Sequence, residues 1–291
     1  MSEVFDYEKV FMGLSTGTSV KPEHLFNNDY RFRNLIETVK LQKGRLLDIG
    51  CGGGSLTENI KYYYPRVELY GCDVSHKAIS LAKKYGSGNV KYSVNGNNFP
   101  YRSNYFDICL CLDVLEHVPK VDLFLSEVKR ILKQKGLFYL VVPCEGQSFT
   151  LTSFFQRIKI GNSLTYKHLG HIHPEFTHQY VLYLLRNYKF TILDIKYSDH
   201  LLSQTVQFFM YFLAKEILEN TLGEKRAEAY YDRSIIKSIN NKKITDPIMI
   251  IRKSWLSISQ IISFITKWET RLFNRMYFSA SKLVVLAKNN D

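Results

Sequence analysis

The residues of this chain that are best suited to bind a ligand form a glycine-rich segment. Residues 46–54 read Leu-Leu-Asp-Ile-Gly-Cys-Gly-Gly-Gly, and a helical pattern follows. Glycines at positions 50, 52 and 54 permit a sharp strand-to-helix turn and let a ligand approach the backbone closely. A dinucleotide fingerprint would have its third glycine at Ser55. Asp48, two residues before the first glycine, would repel a pyrophosphate but not a cationic ligand.

A carboxylate follows at the spacing expected for ribose recognition. Asp73 stands nineteen residues after Gly54, at the end of the next strand-like segment. An acid there can accept hydrogen bonds from both ribose hydroxyls of an adenosine. A glycine-rich turn alone could be merely structural, but the turn, the acid and the strand pattern together predict a nucleoside-binding site.

A second group of chemical side chains lies in the sequence Asp-Val-Leu-Glu-His. The spacing puts Asp113, Glu116 and His117 on one face if a helical turn starts at Asp113. Two carboxylates and an imidazole could hold a divalent ion that orients and acidifies a hydroxyl group. The same residues could instead fasten a loop. We favour the structural interpretation and expect no metal.

Three histidines, His168, His171 and His173, form a third group. An imidazole ordinarily titrates near neutral pH, which suits a general base. We predict His171 as the catalytic base and His117 as a second catalytic candidate. The alternatives for these histidines are metal ligation and ordinary hydrogen bonding. The aromatic and cationic segment 144–168 is a candidate acceptor-binding element, or part of the core.

These groups require a sheet to position them. Strand-like and helix-like segments alternate from Arg45 to Ser198, which predicts an α/β fold with a doubly wound, mostly parallel sheet. We expect helices near 28–41, 75–85 and 121–134. Seven strands are predicted, at residues 45–50, 67–73, 90–94, 106–112, 136–142, 190–197 and 281–289.

The chain divides into four predicted segments. Loops and a helix occupy 1–44, a Rossmann-like core 45–199, a helical insertion 200–280, and the last strand of the core sheet 281–291. The charge-free runs of the insertion are too short to span a membrane, so we expect it to pack on the core. The alternative is a basic, aromatic surface that lies on a membrane or cradles a lipid-like substrate.

Composition limits the class of protein. The chain has 291 residues, of which 45% are hydrophobic and 23% charged, and this excludes a disordered or low-complexity protein. Five cysteines in no framework spacing favour a reducing compartment, and the polar first residues predict no secretory signal. We expect a cytoplasmic protein, with peripheral membrane contact as an alternative. The net charge of +12 suits an anionic partner or a solvated face.

The sequence resembles the class I S-adenosylmethionine-dependent methyltransferases, in particular their small-molecule and quinone-biosynthesis branch. The resemblance rests on LLDIGCGGG at 46–54, CDVS at 72–75, the stretch 95–119 ending in LDVLEHVP, and LKQKGLFYLVVP at 132–143. It implies a Rossmann-like methyltransferase fold and S-adenosyl-L-methionine as the cofactor. The implied cofactor-binding residues are Asp48, Gly50, Gly52, Gly54, Asp73, Val74, Asn95, Gly96 and Leu112.

Two details of the resemblance bear on the site. The family usually has an aspartate where Asn95 stands, but an asparagine oxygen can also accept a hydrogen bond from the adenine amino group. Some O-methyltransferases of quinone biosynthesis hold a metal with two acids and a histidine at the spacing of Asp113, Glu116 and His117. Other members have the Leu-Glu-His-Val sequence and no metal.

The resemblance implies methyl transfer, most simply to an oxygen of a small or lipid-linked biosynthetic intermediate. RNA methylation is an alternative because of the basic charge. However, no RNA-binding module is recognisable, and the segment 112–115 lacks the Asn/Asp-Pro-Pro-aromatic sequence of amino-directed enzymes, so we expect no nucleic-acid partner. A third hypothesis is a non-catalytic S-adenosylmethionine-binding subunit. The intact glycine motif and Asp73 argue against a decayed cofactor site.

Overall fold

One seven-stranded sheet organises the protein. The structure, a computed structural model, describes residues 21–96, 98–151, 153–154, 170–206 and 264–290. The strand order is β3-β2-β1-β4-β5-β7-β6, and every neighbouring pair is parallel except those of β7, which is antiparallel to β5 and β6. The strands are β1 Gly44–Ile49, β2 Val67–Asp73, β3 Val90–Val94, β4 Phe106–Leu112, β5 Leu132–Pro143, β6 Phe190–Ser198 and β7 Lys282–Asn289. The predicted doubly wound, mostly parallel sheet is confirmed.

Helices cover both faces of this sheet. Their bounds are α1 Pro22–Asn28, α2 Tyr30–Thr38, α3 Ser55–Tyr63, α4 His76–Tyr85, α5 Val121–Ile131 and α6 His178–Asn187, and a 3₁₀ turn spans Leu115–His117. On one face Leu125 of α5 and Leu185 of α6 pack in the same core cluster as Phe138. On the other face Phe32 of α2 and Ile60 of α3 belong to the second cluster. Strands buried on both sides explain the continuous apolar runs in the sequence.

The N-terminal region differs from the prediction of one helix over 28–41. Asp29 has an extended conformation that ends α1, and its side chain accepts hydrogen bonds from the backbone nitrogens of Arg31 (2.9 Å) and Phe32 (3.2 Å). An aspartate in this position is a strong N-cap, so it starts a second helix. The predicted helix corresponds to α2, which is shorter at both ends, and α1 is an additional helix where loops were predicted.

Both ends of the predicted insertion between β6 and β7 are helical, at residues 201–206 and 264–273. Residues 207–263 lie outside the described part of the chain, so the boundaries 200–280 stay a prediction. Gln204 fastens the first of these ends by donating hydrogen bonds to the backbone oxygens of Asp199 and Ser279, the latter at 2.8 Å. Among the residues that the structure describes, no helix is long and apolar enough to cross a membrane.

Candidate active site

The carboxyl edge of the parallel strands gathers most of the predicted site residues. The glycine turn follows β1, Asp73 ends β2, Asn95 follows β3, and the Asp113–His117 segment follows β4. Open α/β sheets bind ligands at this edge, because loops from adjacent strands meet there and helix N-termini point toward it. β1 pairs with both β2 and β4, so the nucleoside-binding candidates and the Asp113–His117 segment are neighbours.

The glycine turn has the conformation that its sequence predicts. Gly50, Gly52 and Gly54 have φ angles of 75°, 53° and 81°, in the left-handed region that favours glycine. A Cβ atom on Gly50 would stand 2.3 Å from a methyl carbon of Val114, whereas one on Gly52 would meet nothing within 4 Å. The backbone at Gly52 therefore borders open space, as a turn that receives a ligand requires.

Asp73 is fixed against this turn. Its two carboxylate oxygens accept hydrogen bonds from the backbone nitrogens of Gly52 and Ser75, each at 2.9 Å. A carboxylate has about four acceptor positions, so it can also accept from a ribose. Asn95 lies beside it, with its backbone nitrogen 2.9 Å from the Asp73 carbonyl oxygen.

Asp48 is enclosed below the glycine turn. It is 3% exposed and accepts a 2.6 Å hydrogen bond from the Thr57 hydroxyl. Burial raises the pKa of Asp48 to about 7, although the bond from Thr57 opposes the rise. A buried carboxylate of this kind favours a cationic ligand nearby, because a positive charge would stabilise its ionised form. The glycine turn, Asp73 and Asp48 together therefore fit a nucleoside that carries positive charge.

The remaining cofactor candidates differ in exposure. Val74 is exposed, Leu112 is half-buried, and a Cβ on Gly96 would meet nothing within 4 Å. Val74 directly follows β2, Gly96 comes two residues after β3, and Leu112 is the last residue of β4. Their assignment to cofactor binding remains a prediction.

Asp113 does not share a helical face with Glu116 and His117. The turn starts at Leu115, and Asp113 itself has a φ of 53°. Its carboxylate pairs with Arg31 of α2 and with Lys282 of β7, the latter at 3.3 Å. Burial would raise the pKa of Asp113, but the charges of Lys282 and Arg31 outweigh burial and lower it to about 2. Asp113 is therefore an ion-pairing residue in this structure.

His171 takes the place expected for Asp113. The Oε1 atom of Glu116 lies 3.8 Å from Nε2 of His117 and 3.9 Å from Nε2 of His171. Glu116 is 2% exposed, and within the described part of the chain neither of its carboxylate oxygens has a hydrogen-bond partner. Burial, reinforced by the charge of Asp113, raises the pKa of Glu116. We call Glu116, His117 and His171 the EHH cluster.

Hydrogen bonds orient both imidazoles of the EHH cluster. Nδ1 of His117 lies 2.9 Å from the carbonyl oxygen of Gly170, and Nδ1 of His171 contacts the carboxylate of Glu145. Because a carbonyl and a carboxylate accept hydrogen bonds, each Nδ1 carries a proton and Nε2 is the basic nitrogen. Burial lowers the pKa of His117, which favours its neutral form.

The other two histidines of the predicted group, His168 and His173, are not part of the EHH cluster. Nε2 of His173 is 2.8 Å from the Val118 carbonyl oxygen, and its ring stacks on Phe176. His173 thus helps to fasten the 170–173 loop to the turn after β4, as does the backbone bond from Ile172 to Glu116 (3.0 Å). His168 lies outside the described residues.

The EHH cluster has the donor set of a metal site. One ligand atom from each of its three residues lies within 4.8 Å of the others. Imidazole nitrogens and a carboxylate oxygen are the ligands of many catalytic zinc sites. The residues present therefore fit a divalent cation, with His171 where the sequence pattern had suggested Asp113.

Sequence reasoning missed three residues that shape this site. Glu145, which contacts His171, is the first charged residue after β5, and its position at a strand end could have identified it. Arg31 and Lys282 hold Asp113, and nothing in their local sequence indicated that role. Of the predicted 144–168 element, Phe149 and Phe154 are exposed, which is not core packing. Phe155, Arg157, Lys159, Tyr166 and Lys167 lie outside the described residues.

Comparisons with known proteins agree with this architecture. Residues 47–140 match the family described as a methyltransferase domain. This match begins within β1 and ends within β5, and it includes the glycine turn, Asp73 and the Asp113–His117 segment. In this segment the chain is therefore similar to methyltransferases, as the resemblance in the sequence implied.

Among curated proteins, the chain is similar to enzymes of the quinone-biosynthesis type. It is 32% identical over 133 residues to the ubiquinone biosynthesis O-methyltransferase of Pelagibacter ubique (strain HTCC1062), covering 41% of this chain and 55% of that protein. The relative from Sinorhizobium fredii (strain NBRC 101917 / NGR234) with the same name is 36% identical over 100 residues, covering 33% and 40%. The chain thus spans about half the length, or less, of these curated relatives.

Solved structures share the fold. The [4+2]-cyclase SpnF has a TM-score of 0.54 and 17% identity, with 97% of this chain and 86% of that chain covered. Haemonchus contortus phosphoethanolamine N-methyltransferase 2, in complex with S-adenosyl-L-methionine, has a TM-score of 0.52 and 15% identity, with 93% and 58% covered. One of these proteins is named a cyclase and the other a methyltransferase, so the fold alone does not define the reaction.

Proposed function

We propose that this chain transfers a methyl group from S-adenosyl-L-methionine to an oxygen of a small or lipid-linked biosynthetic intermediate. The observation that carries the proposal is the EHH cluster at the end of β4, the strand that pairs with β1 and its glycine turn. A hydroxyl acceptor must lose a proton, and this cluster offers basic nitrogens at the edge where the cofactor would bind.

S-adenosyl-L-methionine supplies an electrophilic methyl group on a sulfonium, and the protein has to hold an acceptor oxygen in line with it. The glycine turn, Asp73 and Asn95 would hold the nucleoside. Asp48 would contribute negative charge near the cationic end, and the backbone near Leu112 would border the methionine part.

His171 would act as the general base. Its Nε2 would accept the O–H proton of the acceptor as that oxygen takes the methyl group from the sulfonium, whose sulfur would be left as a neutral thioether. Glu145 keeps the proton on Nδ1 and stabilises the imidazolium. His117 borders the same space, since its ring centroid is 4.8 Å from that of His171.

The acceptor class is inferred from the relatives and from exposed apolar side chains in the segments that carry Glu145 and His171. Relatives named as ubiquinone biosynthesis O-methyltransferases support a hydroxylated, lipid-linked acceptor. Phe149, Phe154 and Ile172, which follow β5 or belong to the 170–173 loop, expose apolar side chains that could contact an apolar part of such a molecule.

A metal-assisted reaction is a second candidate, favoured by the buried carboxylate of Glu116. Glu116, His117 and His171 would hold the ion, which would acidify the acceptor hydroxyl. In that case chelation abolishes turnover and added Zn²⁺ or Mg²⁺ restores it, whereas a His171 base operates without a metal.

The test is turnover with methyl-labelled cofactor on a dihydroxylated aromatic acid with and without a prenyl chain, and on RNA. We expect label on the hydroxylated acceptors only. His171→Ala should lower kcat about 10²- to 10⁴-fold, the usual contribution of a general base. His24→Ala is the matched control and should keep kcat within about threefold, because His24 is exposed on α1 and lies outside the EHH cluster.

Three results would overturn the proposal. Labelled RNA with unlabelled small acceptors would support the RNA methyltransferase alternative. Cofactor binding without transfer to any acceptor would support a non-catalytic subunit. Full activity of His171→Ala after chelation would remove His171 from catalysis.

A further inference from the structure

The helix at 264–273 has the reverse of the usual surface arrangement. Its polar residues Glu269 and Thr270 are 3% and 1% exposed, whereas Phe264, Trp268 and Leu272 are 71%, 55% and 56% exposed. A surface helix of a globular protein normally turns its apolar stripe inward. Here the spacing of four residues places the three large apolar side chains along one outward stripe.

Glu269 holds this helix in its inverted orientation. Its carboxylate accepts hydrogen bonds from the backbone nitrogens of Leu202 (2.8 Å) and Ser203 (2.9 Å), at the start of the 201–206 helix. A carboxylate at a helix N-terminus satisfies unpaired N–H groups and favours the helix dipole. The outward position of Trp268 is therefore built into the fold rather than a chance rotation of an unattached helix.

The exposed apolar surface extends beyond this helix. Met276, close after it, is 39% exposed, and Leu201 and Leu202, which begin the neighbouring helix, are 46% and 45% exposed. We call Phe264, Trp268, Leu272, Met276, Leu201 and Leu202 the outer apolar patch. Contiguous exposed apolar surfaces of this kind mark interaction sites on soluble proteins.

Positive charge accompanies the outer apolar patch. Residues 264–278 contain Lys267, Arg271 and Arg275, and their one carboxylate, Glu269, is buried. Arg271 is exposed, and Arg275 keeps 65% of its side chain exposed while pairing with Asp194. A tryptophan and aliphatic side chains beside exposed cations match the composition of surfaces that rest on anionic lipid.

We propose that the outer apolar patch docks on an anionic membrane surface, with Trp268 and Leu272 in the interface and Arg271 among the headgroups. The charge argues against a second copy of this chain, because a two-fold contact would place like charges together. The aliphatic members argue against RNA, since bases stack on aromatic rings. This inference is independent of the proposed methyl transfer.

Tryptophan fluorescence tests the proposal directly. The chain has two tryptophans, so Trp255→Phe leaves Trp268 as the single reporter. Vesicles of phosphatidylcholine with 30% phosphatidylglycerol (about one charge in three lipids) should shift its emission to the blue. Brominated acyl chains should quench it, and pure phosphatidylcholine should do neither.

Variants of the full chain sharpen the test in a vesicle co-sedimentation assay. The double variant Phe264→Ser/Leu272→Ser should lose sedimentation, and Arg271→Glu should lower the partition coefficient at least about fivefold, as expected for charge at an anionic surface. Tyr85→Ser is the matched control: Tyr85 is 46% exposed beside Lys84, but lies on α4, which packs against β2 and β3 at the opposite end of the sheet from β6. Unchanged thermal unfolding midpoints would show that the variants fold.

Several outcomes would overturn the proposal. Trp268 emission that is already blue in buffer would mean that the chain itself covers the patch, or a second copy if the shift depends on protein concentration. A shift with RNA but not with vesicles would assign the patch to nucleic acid. Equal sedimentation of the Phe264→Ser/Leu272→Ser variant and the parent would place membrane contact elsewhere.

Discussion

The two halves of the site are built in different ways. The cofactor half, at the ends of β1 to β3, consists of a backbone turn and one carboxylate that bonds to it, all within residues 48–96. The acceptor half, at the ends of β4 and β5, brings together Glu116, Glu145 and His171 from separate segments of the chain. The geometry of the cofactor half depends on residues near one another in the chain, whereas that of the acceptor half depends on how distant loops pack.

The largest effect should come from the cofactor half. Asp73→Ala removes a carboxylate that would accept two ribose hydroxyls, and hydrogen bonds to charged groups contribute about 1.5–3 kcal/mol each. We expect the affinity for S-adenosyl-L-methionine and S-adenosylhomocysteine to fall at least about 100-fold in calorimetric titration. Asp73→Asn should fall less, and unchanged affinity in the alanine variant would remove Asp73 from the site.

Acid should destabilise the fold through a buried histidine on α6. His178, at the start of α6, is 2% exposed, and burial with the nearby His200 lowers its pKa to about 4. Its pKa in the folded state is below the ordinary 6.5, so the unfolded state binds the proton more tightly and stability falls as pH drops from about 6.5 to 4. The loss amounts to as much as about 3 kcal/mol.

Urea unfolding at pH 7.5 and pH 4.5 measures this effect. The His178→Gln variant should lose less stability between the two pH values than the parent does. An equal loss in both proteins would assign acid sensitivity to other groups, such as His200, whose pKa burial also lowers.

Asp48 gives the cofactor half the opposite pH dependence. Its folded pKa of about 7 is above the ordinary value of 3.8, so the folded state holds the proton more tightly. Its contribution to stability is present below pH 4 and is lost as pH rises toward 7. Asp48→Asn should therefore raise the free energy of unfolding at pH 8 by about 1–3 kcal/mol, since it removes a buried charge.

The same substitution should weaken cofactor binding about tenfold, because the cationic ligand loses a nearby negative charge. Thr57→Val is the control: it removes the hydrogen bond to Asp48 but leaves the charge. If the Asp48→Asn variant bound the cofactor as tightly as the parent, the charge of Asp48 would have no role in cofactor binding.

The smallest effect should be that of Glu145→Gln. An amide can still accept the hydrogen bond from His171 but cannot stabilise an imidazolium as a carboxylate does. We expect kcat to fall about tenfold with little change in KM, and cofactor affinity to stay the same. A fall in cofactor affinity would contradict this expectation, because it would show that Glu145 of the acceptor half affects binding in the cofactor half.

Local sequence patterns predicted most of the sheet and the cofactor half. The bounds of β2, β3 and β4 agree with the sequence prediction, because short apolar runs between turn residues leave little choice of strand ends. The glycine turn was equally predictable, since only glycine adopts its φ angles without strain. By contrast, the boundary between α1 and α2 depends on the side chain of Asp29, which caps α2. The pattern of apolar residues does not reveal such a boundary.

The sequence by itself determined the doubly wound, mostly parallel sheet, the glycine turn after β1 and the acid at the end of β2, because these depend on residues close together in the chain. Only the tertiary structure decided that Asp113 pairs with Arg31 and Lys282 while His171 joins Glu116 and His117. The spacing argument assumed one continuous helical turn that starts at Asp113. In the structure, the packing of α2 and β7 places Arg31 and Lys282 next to the Asp113 carboxylate. Contacts between residues 50 to 170 positions apart leave no periodic trace in a single sequence.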